Sequence, residues 1–238
     1  MRVIGKSDVG MVRKENQDAF WSEQLDARTS IAVVCDGMGG AHGGQEASTL
    51  AIASLKNTLL HLKPNEKINA VFDHAIKECN QAVYTESQKN DELSGMGTTL
   101  VLALVKEENC YVVNVGDSRA YHITNGSINQ ITKDHSAVQE LVDSGHITER
   151  QAKIHPNKNV ITRAIGIGDE IEYDFFEVSV SSGDIILLCS DGLSNYVDEN
   201  EIQFEVSGGE FDDLAIRLIH LANSRGGTDN ITVTAIQV

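Results

Sequence analysis

At 238 residues, 41% of them hydrophobic, the chain is long enough to bury one substantial core. Its 19 basic and 35 acidic residues give a formal charge of −16, a field that repels phosphate backbones and argues against nucleic acid as a partner. No apolar run approaches membrane-spanning length, and the N-terminus lacks the long apolar stretch of a signal peptide. Cys35, Cys79, Cys110 and Cys189 have no CxxC spacing and three of them sit in apolar runs, so the expectation is a protein of the reducing cytoplasm with no membrane partner.

With two prolines, Pro64 and Pro156, and no Pro/Gly/Ser-rich linker, residues 1–238 read as a single domain. Residues 1–10 alternate weakly, as a first strand would. The polar stretch from Val12 to Asp18 then leads into a short run at Ala19-Phe20-Trp21. Ile31 to Cys35 is an apolar run that stops at Asp36 and turns into Gly37-Met38-Gly39-Gly40, a pattern that suits a buried strand delivering a carboxylate to a close-approach loop. Residues 45–62 and 66–87 carry apolar side chains at helical spacing and predict two amphipathic helices separated by Pro64.

The period then changes. Residues 98–105, 110–115, 119–123 and 127–131 read as a four-stranded meander, with Asn125-Gly126 a strong hairpin signal. A short helix is predicted over 136–144, and 147–159 is polar and irregular with one further helical turn before Pro156, the natural place for a mobile surface segment. Strand-like runs follow at 160–165, 173–180 and 184–189, the last ending in Ser190-Asp191-Gly192. A final helix over 211–224 and a strand over 231–238 close the chain, and the whole pattern predicts α+β with helices outside antiparallel sheets.

Four acids share one situation at a strand end or start: Asp36, Asp117, Asp191 and Asp229. Taken singly, each fits an ordinary turn. Together, each beside glycine or a small polar residue, they would repel one another unless a hard divalent cation neutralised them, and no His/Cys spacing suggests zinc instead.

The ordered motifs Ser7-Asp8-Val9-Gly10, Arg13-Lys14-Glu15-Asn16-Gln17-Asp18, Val34-Cys35-Asp36-Gly37-Met38-Gly39-Gly40, Gly97-Thr98-Thr99, Asn114-Val115-Gly116-Asp117-Ser118-Arg119, Asp134-His135-Ser136, His155-Pro156, Ile161-Thr162-Arg163-Ala164-Ile165-Gly166, Cys189-Ser190-Asp191-Gly192-Leu193 and Asp229-Asn230-Ile231-Thr232-Val233 run almost end to end. In them the chain resembles the PPM, or type-2C, metal-dependent serine/threonine protein phosphatases in their compact bacterial form. That resemblance implies a β-sandwich of two antiparallel sheets flanked on both sides by helices, with a flap beside the active site. It implies a binuclear Mn or Mg centre in which Asp36 bridges the ions, Gly37 offers its carbonyl, and Asp191 and Asp229 complete one ion's shell. Asp117 with Asp191 matches a third, weaker metal site, Asp18 would orient metal-bound water, and Arg13 matches the phosphate-clamping arginine.

Two ions about 3.5–4 Å apart would supply hydroxide for in-line attack on phosphoserine or phosphothreonine without a covalent intermediate. The implied partners are phosphorylated proteins and the Ser/Thr kinase whose signalling the enzyme reverses, with monomer as the default state. Met38 stands where animal relatives carry a histidine acid; His42 is the nearby candidate proton donor, and metal-bound water the preferred one. Gln17 takes a place where some relatives carry Glu. His135, His155 and Arg163 fall at the flap's edges, where scaffolding is the expected role. A haloacid-dehalogenase type of enzyme would want a second Asp at Met38, a catalytically inactive phosphoprotein-binding module would not need four convergent carboxylates, and a phosphatase of anti-sigma-pathway regulators would differ only in substrate.

Overall fold

A computed structural model describes residues 1–62, 66–89 and 91–238, the side chains of residues 41 and 42 excepted; Pro64 and its role as a helix separator lie outside them. The strands β1 (Arg2–Asp8), β2 (Asp18–Asp26) and β3 (Thr29–Met38) are followed by helices α1 (Gly40–Leu59) and α2 (Ile68–Ser87). Next come β4 (Gly97–Thr98), β5 (Leu100–Lys106), β6 (Asn109–Val115), β7 (Arg119–Thr124) and β8 (Ser127–Gln130), then the short helices α3 (Ala137–Asp143) and α4 (Glu149–Ala152). The chain finishes with β9 (Asp174–Ser179), β10 (Ile185–Cys189), α5 (Asp191–Ser194), α6 (Glu199–Gly208), α7 (Leu214–Ser224) and β11 (Ile231–Gln237).

The strands form two antiparallel sheets, β1-β11-β10-β7-β8 and β2-β3-β5-β6-β9, with β4 paired to the end of β3. This is the α+β sandwich that the sequence pattern predicts. Alternation along each strand divides the interior into three layers. Ile31, Val33 and Cys35 of β3 pack with α1 and α2, whereas Ala32 and Val34 face the opposing sheet. On β10, Ile185, Leu187 and Cys189 meet α7, and Ile186 and Leu188 enter the layer between the sheets. All four cysteines are free and buried, and behave as small apolar core residues. Among the described residues no helix is long and apolar enough to cross a membrane.

The predicted meander is not formed: β5 and β6 belong to one sheet and β7 and β8 to the other. The chain changes sheets at Gly116-Asp117-Ser118, where Gly116 has a φ of 103° and its backbone presses on Thr99, so a side chain there would collide. Local hydrophobic alternation could not reveal this crossing, because a strand reads the same whichever sheet it joins. Nor is 160–165 a strand; it supplies only single bridges, Ser136 to Ile161 and Thr98 to Ile165. Those bridges, with Thr162 N–H donating to the His135 carbonyl at 2.8 Å, close off the base of the lobe that carries α3 and α4. This lobe is the predicted flap.

Two boundaries also move. β3 runs on through Asp36 to Met38 because Gly37 and Met38 pair with Thr98 and Gly97 of β4. Helix α1 starts at Gly40 rather than at Gln45, despite the low helix propensity of glycine. Its first turn lies against β3 so closely that a Cβ on Gly44 would stand 2.7 Å from the Gly37 carbonyl oxygen. Helix α6 has too weak an apolar stripe to be read from the sequence, burying only Ile202, but Asp198 and Glu201 form a capping box at its start.

Gly192, in α5, packs its backbone on the start of β11: a Cβ there would lie 1.9 Å from the Asn230 carbonyl oxygen. Gly192→Ala must therefore push α5 off β11, and we expect it to lower Tm by about 5 °C in thermal denaturation. An unchanged Tm would show that this junction yields freely.

Candidate active site at one end of the sandwich

The pleat of β3 brings Asp36 to the inter-sheet face, two residues beyond Val34, and Asp18 pairs with it directly across β2 and β3. At this end the aliphatic layer gives way to polar groups. Asp18 Oδ2 accepts hydrogen bonds from Ser190 Oγ at 2.8 Å and Thr232 Oγ1 at 2.7 Å. The backbone of Asp36 is fixed from both sides: its N–H donates to Thr99 Oγ1 at 2.9 Å and its carbonyl accepts from the Thr99 N–H at 2.9 Å. Thr99 Oγ1 in turn lies 2.7 Å from Ser118 Oγ, which ties β3 to the sheet crossing beside Asp117.

Asp229 opens the last strand, and Asn230 anchors it. The Asn230 amide donates to the Val9 and Glu15 carbonyls, both at 3.0 Å, and its Oδ1 accepts from the Gln17 N–H at 2.8 Å. One buried side chain therefore holds the whole 9–17 segment against the start of β11. This delivers Arg13, whose Nη2 donates to Asp229 Oδ2 at 2.8 Å.

Arg13, Asp36, Gly37, Asp117, Asp191 and Asp229 all line one cleft of about 580 Å³, with Met38 beside them. Asp18 lies behind that surface, braced by Ser190 and Thr232. The side chain of His42 is outside the described residues. A larger cleft of about 800 Å³ adjoins the first, sharing Asp117 and Asp191, and runs between the flap and the α5–α6 region.

Burial and mutual repulsion dominate the electrostatics. Burial, then Asp18, Asp191 and Asp117, hold the Asp36 carboxyl well above the usual carboxylate range. Asp18 is pushed up to about 7, by burial against the relief of its two hydroxyl donors, and Asp117 to about 8 by burial and the neighbouring Asp191. Asp191 is raised by burial and by Asp229. The Arg13 guanidinium is raised in turn, chiefly by its hydrogen bond to Asp229.

These residues fit a hard divalent cation. Asp18 Oδ1 and Asp191 Oδ1 are buried with no hydrogen-bond partner, an arrangement that is costly for a carboxylate facing only protein. Among the described residues no three acidic, imidazole or thiol groups stand in ready-made ligand geometry. Instead the charge is partly offset by Arg13 on Asp229. A doubly charged ion would offset the rest and take up the unpartnered oxygens.

Several participants carry no signal that composition or spacing could raise. Asn230, Thr99, Ser190 and Thr232 act through backbone and hydroxyl contacts, and only the short motifs that contain them marked their positions. His135 and Arg163 are scaffolding. His135 Nδ1 accepts from the Gly116 N–H at 3.2 Å, so Nε2 carries the proton, and Asp174 faces both Nε2 and the Arg163 guanidinium. The His155 ring accepts from the Asn157 N–H in the turn after α4.

A family model described as protein phosphatase 2C matches residues 12–230. The serine/threonine phosphatase stp of Listeria monocytogenes is 37% identical over 236 residues, which are 98% of this chain and 94% of that protein. The crystal structure of the serine/threonine phosphatase PstP/Ppp of Mycobacterium tuberculosis superposes with a TM-score of 0.92 at 38% identity, covering 100% of this chain and 98% of the other. A crystal structure of the PstP catalytic domain in complex with two manganese ions gives a TM-score of 0.88 at 37% identity, covering 98% and 96% of the two chains.

The raised acids set the sign of a pH dependence. An aspartate in an unfolded chain titrates near 3.9, whereas Asp18 and Asp117 do so at about 7 and about 8. In that window the folded protein binds more protons than the unfolded chain, so stability falls as pH rises from about 4 to about 8. Glu201, held down to about 2 mainly by Arg225, acts only at the acid edge of the window, and His135, lowered chiefly by burial, opposes the trend but is one group against several raised acids. In EDTA we expect a higher Tm at pH 5 than at pH 8, with manganese raising Tm more at pH 8. A Tm that climbs from pH 5 to pH 8 in EDTA would mean the acids do not share a buried site.

Proposed function

The chain belongs to the protein phosphatase 2C family and is a metal-dependent serine/threonine protein phosphatase, and we propose that Asp36, Gly37, Asp191 and Asp229 hold its two divalent ions while Arg13 receives the phosphoryl group. The observation that carries this assignment is the convergence of those residues on one cleft around mutually repelling carboxylates. Manganese or magnesium, when bound there, supplies a nucleophilic hydroxide at neutral pH and offsets charge on phosphoryl oxygens.

The chain's own groups do the rest. Asp36 is held by Thr99 at its backbone, so its carboxyl keeps its place at the centre of the site. Gly37 allows the backbone to approach closely: a Cβ would lie 2.0 Å from the Gly44 carbonyl oxygen. Arg13 uses one donor on Asp229 and has others for the phosphoryl oxygens, where a planar fork can meet two of them. Asp18 braces β10 and β11 through Ser190 and Thr232 and keeps Oδ1 free of protein partners, as a group that orders water would require. Met38 lines the cleft and has no proton to give, so the departing alkoxide must draw its proton from another group.

Within the same proposal, Asp117 and Asp191 hold a third, weaker ion, the chain works as a single-domain monomer in the cytoplasm, and it opposes a Ser/Thr protein kinase. Its substrates are phosphoproteins. The larger cleft walled by the flap gives the segment around the phosphorylated residue somewhere to lie.

With manganese, hydrolysis of p-nitrophenyl phosphate and of a phosphothreonine peptide should stop in EDTA and fall by roughly a thousandfold or more in Asp36→Ala or Asp229→Ala. Activity that survives chelation would sink the metal mechanism, and tight phosphoprotein binding without turnover would favour a binding module. Asp117→Ala removes one of the repelling acids, so turnover should drop while Tm in EDTA holds or rises; a collapse in Tm would assign Asp117 to the fold. Substitutions within 146–158 should slow phosphoprotein hydrolysis more than aryl phosphate hydrolysis, and equal losses on both would show that the flap supports the catalytic centre itself.

A further inference from the structure

Asp191 is held asymmetrically. Asn195, which follows α5, donates its side-chain N–H to Asp191 Oδ2 at 3.0 Å and its backbone N–H to the Asp191 carbonyl at 2.8 Å. Asp191 Oδ1 is buried and has no hydrogen-bond partner. On the other side, Asn195 Oδ1 accepts from Lys158 Nζ at 3.5 Å, and Lys158 stands on the flap beyond α4. All three residues line the larger cleft, and Asp191 also lines the smaller one.

The two ends of an amide suit these two neighbours. The NH₂ group can only donate, which satisfies a carboxylate, and the carbonyl can only accept, which satisfies an ammonium. A carboxylate at 195 would repel Asp191, and an aliphatic side chain would serve neither neighbour. Because Oδ2 is engaged by Asn195, the lone pairs of Oδ1 are the ones left for a ligand. Partners of this kind fix the orientation of metal-binding carboxylates.

We infer that Asn195 is a positioning residue that turns Asp191 Oδ1 toward the cleft and, through Lys158, couples the orientation of that carboxylate to the seating of the flap. The inference rests on Asp191 being a metal ligand. It gives the flap a direct route to the ion site, because Lys158 and Asn195 line the same cleft as Asp191.

The test uses the intact protein with Asn195→Leu, which keeps volume and removes both polar ends, Lys158→Met, which keeps the stem and removes the charge, and the double variant. Asn195 and Lys158 are exposed, so the core is untouched. Manganese binding is measured by titration calorimetry and Tm is measured in EDTA. Asn195→Leu should weaken manganese binding by about 10–100-fold with Tm in EDTA unchanged, a split that a merely structural residue would not give. Lys158→Met should weaken binding by a smaller factor, and should add nothing on the Asn195→Leu background. Parent-like binding in Asn195→Leu, or a loss matched by a fall in Tm, overturns the positioning role. A Lys158→Met effect that persists in the double variant overturns the link to the flap. If the parent itself binds no manganese, the reading of Asp191 as a ligand fails first and this inference falls with it.

Discussion

In a β-strand consecutive side chains point to opposite faces, so the residue two places beyond a core valine must enter the same layer as that valine. On β3 that residue is Asp36, two beyond Val34, and its partner across the ladder is Asp18. Neither can turn to solvent without reversing the face of every apolar residue on its strand. The layer between the sheets is therefore obliged to end in carboxylates. Everything else at this end of the molecule serves that obligation: the hydroxyls of Ser190 and Thr232 on Asp18, Thr99 on the Asp36 backbone, and Arg13 on Asp229.

The cost of this arrangement is held in like charges. Burial and proximity lift Asp36, Asp18, Asp117 and Asp191 together, whereas surface acids such as Asp73 and Glu201, each beside a cation, are lowered. A site tuned to receive doubly charged ions is, by the same physics, a weak point of the fold when those charges are not compensated. The surrounding structure tolerates it because three apolar layers lie behind it.

Much of this could be read from the residues in order. An apolar run that stops near a carboxylate located the ends of β6 and β10, and the ordered motifs identified the family and hence the sandwich. Pairing partners were not legible. The sheet change at Gly116-Asp117-Ser118 rests on contacts with Thr99 and His135, far away in sequence. The 160–165 run looks like a strand by composition, yet its neighbours leave it only two bridges. In the site, charged residues were visible because carboxylates and an arginine are rare inside proteins. Asn230 and Asn195 were not singled out, since asparagine is common in turns and its work depends on which backbone atoms surround it.

Asn230 also bears on when the enzyme comes into being. Its amide grips Val9, Glu15 and Gln17, and β1 pairs with β11 along its whole length. Arg13 and Asp229 are 216 residues apart in the chain. They thus meet only when synthesis has passed β11. A nascent chain, however well its β3–β5–β6 sheet has formed, cannot join these two sides of the cleft until β11 has emerged and paired with β1.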